Sequence, residues 1–156
     1  MANTQSMCTS FMEQLMTATH NFTTGTGDTF KGALMLASAT TNASTTIYDG
    51  TGEVSGTNYP TGGVTITNGT SPSSTNTSAT AGVAYWTPSA SIVYGSSGSP
   101  VTLSTAFDAV LVYNSSKSDK AVSVHTFGSQ TVTAGVFTLT MPSNTTSTAL
   151  LRLATT

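Results

Sequence analysis

Charge is nearly absent from this chain: four lysines and arginines and six aspartates and glutamates are all that 156 residues carry. At 6%, charged residues have about a quarter of their usual share in soluble proteins. The four bases, Lys31, Lys117, Lys120 and Arg152, are scattered. No stripe of them can neutralise several phosphates at once, so nucleic acid is not an expected partner. Cysteine is limited to Cys8, which excludes an intrachain disulfide and a cysteine zinc cluster. No run of eighteen apolar residues occurs, and the first residues lack the basic and continuous apolar regions of a secretory signal. No membrane partner is expected, and the chain is expected to be made in a cytoplasm and to stay soluble there.

What is abundant is hydroxyl. Thirty-four threonines and twenty-two serines make up over a third of the sequence, so solubility rests on neutral polar groups. A surface with so little charge has little repulsion between copies, which suits burial against neighbours in an assembly; a merely threonine-rich β protein is the plainer alternative. A chain of this length can remove roughly 70% of its unfolded surface from water, enough for one core.

Ser10 and Glu13 have the S-x-x-E spacing of a capping box, and Phe11, Leu15, Ala18 and Phe22 follow at helical intervals, with Met12 and Met16 beside them. A helix over 10–20 is expected, closed by His20 bonding its last carbonyls. After Gly27 the period changes to two. Strands are expected at 29–37, 64–68, 82–87, 91–95, 106–114, 121–127, 135–142 and 149–154, with Ala109 to Val112 apolar on both faces, as in the middle of a sheet. "NSSKSDK" (114–120) reads as a hairpin loop and 68–82 as an exposed, mobile one. The expected fold is mainly β: an antiparallel β-sandwich, jelly-roll or Ig-like, with one short N-terminal helix. Residues 1–9 are expected as an arm that orders only against a partner, and 10–156 as one domain.

"YDGTGEVSGTNYPTGG" (48–63) is glycine-rich, but a strand follows it rather than a helix, and it has no lysine. It cannot cradle a phosphate as a P-loop does. Glycines at positive φ and a tyrosine, Tyr48 or Tyr59, laid back on the fold as an anchor are the expected features. For Tyr59 a contact to a partner is the alternative reading. The six carboxylates, two histidines and one thiol show no local pairing for catalysis or metal binding, so no enzymatic activity, no cofactor and no bound metal is expected. His125 is read as a sheet residue and Asp108 as a satisfied polar group. The six N-x-S/T sequons are about double what such a composition yields by chance and are not taken as glycosylation sites.

"DTFKGALMLASAT", "GEVSGTNYPTGG" and "AVLVYNSSKSDKAVSVHTFG" resemble small structural proteins of tailed bacteriophages, as do "FTLTMP" and "LLRLA" near the C-terminus. Residues 51–63 match a T-G-E-x-x-G-x-x-Y-x-x-G-G-like element of that group. The resemblance implies a non-enzymatic virion protein, a capsid decoration or cement protein touching the major capsid protein and copies of itself, through Met7, Phe11, Met12, Glu53 and Tyr59. A fibre or tail component, including a module that binds a host receptor, is the alternative. Such a module would expose aromatics such as Trp86 or Tyr94 to stack on sugar rings.

Overall fold

The run from Ala109 to Val112, apolar toward both faces, lies in the central strand of the largest sheet. The computed structural model describes residues 2–75 and 82–155. It is mainly β, with 42% strand and 7% helix, and its sheets are antiparallel. The elements are β1 (Ser6–Met7), α1 (Thr9–Met16), β2 (Phe30–Leu36), β3 (Val64–Thr65), β4 (Ser73–Ser74), β5 (Val83–Trp86), β6 (Ile92–Tyr94), β7 (Val101–Asn114), β8 (Lys120–Gly135), β9 (Phe137–Leu139) and β10 (Leu151–Ala154). Five strands run in the order β1-β8-β7-β2-β3, three in the order β10-β5-β4, and β6 pairs with β9.

β7 and β8 form the long hairpin at the heart of the molecule, joined by a 3-10 turn at Ser115–Lys117 and by Ser118 and Asp119, both at positive φ. The expected hairpin loop is thus present. The strands extend further than expected, to Val101 and Gly135, because bulges let the polar, threonine-rich ends stay paired. The two smaller sheets meet the large one through aromatic side chains. The Tyr94 hydroxyl donates to the Gly32 carbonyl oxygen at 2.8 Å. Ile92 and Tyr94 crowd the bare face of Gly32, where a Cβ would come within 3.3 Å of both. At the other end Phe22 stacks on Phe30 at 4.3 Å and meets Trp86 of β5 edge-on at 4.9 Å.

Three expectations are corrected. The helix is shorter than 10–20 and is not capped by Ser10: Cys8 is the N-cap, without a side-chain bond, and the Ser10 hydroxyl has no partner. The chain leaves the helix at Thr17, and Ala18 turns left-handed at φ 54°. Phe22 therefore reaches the core by a turn and not by helical period. Residues 2–8 are also not a loose arm. β1 pairs with β8, Cys8 is fully buried, and Asn3 donates to Asp108 Oδ1 at 2.6 Å and to the Leu36 carbonyl at 2.9 Å. Thr41 closes this contact by donating its amide and hydroxyl to Asn3 Oδ1. Of the loop at 68–82, residues 73–74 form β4 against β5, while 76–81 lie outside the described residues.

Candidate functional site

The glycine-rich loop folds around one carboxylate. Glu53 Oε2 accepts the Tyr48 hydroxyl at 2.6 Å and Oε1 accepts that of Tyr59 at 2.9 Å. The Gly62 amide donates to both oxygens, at 2.9 and 3.1 Å. Tyr59 in turn accepts the Leu34 amide at 2.9 Å. Tyr113 donates to the Gly62 carbonyl at 2.7 Å and stacks on Tyr48 with ring centroids 4.4 Å apart. Every glycine of the T-G-E-x-x-G-x-x-Y-x-x-G-G element is in a described turn or close approach, and Gly63 is the clearest case. It sits at φ 70°, and a Cβ there would run into the carbonyl oxygen of Gly32. Burial, first of all, raises the phenols: Tyr113 is pushed up to about 12, and Tyr48, Tyr59 and Tyr94 go higher still, with the Glu53 charge adding to the effect. All four are neutral donors at any physiological pH. The cluster ties a loop to a sheet and presents neither an acid nor a nucleophile to solvent.

The structure turns Glu53 and Tyr59 onto the fold as the anchor, with Tyr59 buried and Glu53 half-buried. Phe11 is inward too, at 2% exposure. Met7 is half-buried. Met12 is exposed, at 44%, and one turn on, Met16 is 83% exposed, the barest large apolar side chain among the described residues. The sequence placed Met16 on the flank of the helix stripe but did not single it out as a contact. Beside α1 lies an apolar groove of about 120 Å³, walled by Met7, Phe11, Leu15, Trp86, Leu151 and Leu153. Leu153, on the edge strand β10, is also exposed. On α1 and β10, Met12, Met16 and Leu153 thus leave large apolar side chains in solvent. A methionine-bearing helix face of this kind accommodates an apolar partner surface readily, because the thioether side chain adapts its shape.

Cys8, His125, His20 and Asp28 are held in the structure. Burial pushes the Cys8 thiol up to about 11, so no thiolate is present at neutral pH. His125 is pushed down to about 4 by burial, with Nε2 2.8 Å from the Ser123 hydroxyl on the same strand. His20 does not bond the helix carbonyls: it meets the side chains of Gln14 and Asn114. Asp28 is raised by burial, but the Asn114 and Asn21 hydrogen bonds and the Lys117 ammonium, 3.6 Å away, outweigh this and hold it below its ordinary value. Among the described residues no three His, Cys, Asp or Glu side chains gather as metal ligands would. Trp86 and Tyr94, the aromatics a sugar-binding tip would expose, are buried. Compared with protein-family models, with curated proteins and with solved structures, the chain matches none.

Proposed function

We propose that this chain is a non-enzymatic structural protein of a tailed-phage virion, a decoration protein that seats on the outer capsid surface and bridges neighbouring capsid subunits. The observation that carries the reading is the pairing of a nearly uncharged surface with a solvent-exposed methionine face on α1. Copies repeated over a lattice must approach closely, and a surface of hydroxyls and amides lets them do so without like-charge repulsion. Met12, Met16, Met7 and Leu153 are the groups offered to the major capsid protein, with Met16, the barest, able to contribute roughly 1.5–3 kcal/mol when fully buried and the others less. The resemblance of residues 28–40, 52–63 and 109–128 to tailed-phage structural proteins supports the same reading.

The sheets then serve as the two layers of an antiparallel β-sandwich, jelly-roll or Ig-like. The contacts of Tyr94 and Ile92 with Gly32, and of Trp86 with Phe22, support two layers packed through one aromatic core. In this role the Glu53–tyrosine cluster stiffens the loop at 48–63 and needs no cofactor or metal.

Cryo-electron microscopy of intact particles tests the proposal. The expected result is density for this chain on the outer capsid surface, with α1 against the major capsid protein. Density on tail fibres alone would overturn it and favour the fibre alternative.

A further inference from the structure

His20 is buried just beyond α1, and its ring nitrogens have fixed roles. Nδ1 lies 2.8 Å from Asn114 Nδ2, and Nε2 lies 2.7 Å from Gln14 Oε1. An amide nitrogen only donates, so Nδ1 must accept and the proton must sit on Nε2, facing Gln14. Asn114 has nothing to spare. Its second Nδ2 hydrogen goes to Asp28 Oδ2 at 2.8 Å, its Oδ1 accepts the Ser116 amide at 3.1 Å, and the residue has no exposed surface.

A second proton on the ring would bring Nδ1–H against the Asn114 amide hydrogens, two donors with no acceptor between them. Turning the Asn114 amide over would present its oxygen to the ring, but it would strip the acceptor from Ser116 and the donor from Asp28. The network therefore cannot accept the proton without losing bonds in a buried place. The charged groups facing His20 are Asp28 of its own segment and Lys117 and Lys120 of the hairpin end. Around the ring, α1 supplies Phe11 and Gln14 and β2 supplies Phe30, none of them charged. Burial, helped by the two lysines, outweighs Asp28 and holds the imidazole below the ordinary histidine value.

We propose that this network is an acid-opened latch: protonation of His20 frees residues 17–28 from the Asn114 end of β7 and takes Phe22 out from between Phe30 and Trp86. The opening uncovers apolar surface, since Phe22 lines the groove beside α1. The device belongs to the chain itself, whatever the chain binds. By linkage, the closed form dominates above pH ~6.5, and the opening constant rises roughly tenfold per pH unit from there down to the lower value at which closed His20 itself titrates.

Trp86, the single tryptophan, sits at the contact that would break. The test follows Trp86 emission and amide hydrogen exchange of the full chain between pH 7.5 and 4.5, for wild type, His20→Gln and His125→Gln. Wild type and His125→Gln are expected to show a red shift, with opening of residues 18–28 rising roughly tenfold per pH unit after correction for intrinsic exchange, while β7 amides stay protected. His20→Gln, whose carbonyl accepts from Asn114 at any pH, is expected to stay flat. If that variant does not fold, ring-proton NMR of wild type decides: His20 and Trp86 resonances must shift with one midpoint. A flat wild type, an unchanged transition in His20→Gln, or separate midpoints for the two rings would overturn the latch.

Discussion

Glu53 and Tyr59 stand six residues apart and meet at 2.9 Å, with Tyr59 taking the Leu34 amide on its other side. One phenol thus links the loop carboxylate to the backbone of β2. Tyr59→Phe leaves a buried amide without its acceptor and is expected to cost about 1–3 kcal/mol. Glu53→Gln loses a charged acceptor for two hydroxyls and an amide and is expected to cost about 2–4 kcal/mol. Urea unfolding checks both; midpoints within error of wild type would show that the cluster carries no stability.

Gly63→Ala meets two obstacles together, a left-handed backbone and the Gly32 carbonyl. The loss is expected to exceed about 3 kcal/mol, because backbone on both sides must move. Gly98→Ala, where nothing lies within 4 Å, is the control and should fall within about 0.5 kcal/mol of wild type. Thermal unfolding of the two variants side by side would decide, and equal midpoints would contradict the geometry.

Much of this fold was legible locally. The apolar run in β7 announced a central strand because both faces of such a strand are covered, and "TFKGALMLA" announced β2 by its composition. The start of the helix differs from the expectation because the S-x-x-E pattern at Ser10 is only a spacing. The turn that ends α1 early depends on Ala18 going left-handed, which side-chain pattern does not announce. In the candidate site, the glycines and tyrosines of 48–63 mark an anchored loop with Tyr48 or Tyr59 as its anchor, and both bond Glu53. That Glu53 is the carboxylate the loop closes on does not show in the spacing, because its partners Tyr48, Tyr59 and Gly62 meet it only in the folded turn. Asn3 with Asp108, 105 positions apart, and His20 with Asn114, 94 apart, exist only once the sheet is built.

His125 makes stability fall in acid. Burial holds it at about 4 in the folded chain, against ~6.5 when unfolded, so the unfolded chain takes up the proton first. Its contribution is complete above pH ~6.5 and is lost progressively as pH falls to about 4, by at most ~3 kcal/mol. Denaturant titrations across that window should show a shallower slope in His125→Gln than in wild type; an identical slope would contradict this.

Cys8 is fully buried with its thiol raised to about 11. A thiol reagent at pH 8 should react with native protein only as fast as the chain opens, and at once in denaturant. Prompt labelling of the native chain would contradict the packing of β1 and Cys8 against β8.

Met16→Lys leaves the core untouched, since the side chain is in solvent. Placing an ammonium in an apolar interface should weaken binding to stripped capsids by about tenfold or more, with the unfolding midpoint unchanged. Equal affinity would take α1 out of the interface.

The central claim is tested most directly by adding the purified chain back to phage particles that lack it and following both occupancy and the temperature at which DNA is released. A protein that bridges capsid subunits stabilises the particle by about 2.7 kcal/mol per site when free protein is a hundredfold above its dissociation constant. The expected result is saturable binding to assembled capsids, none to free subunits, and a release temperature that climbs with occupancy. No capsid binding, or full occupancy with an unchanged release temperature, would contradict the decoration role.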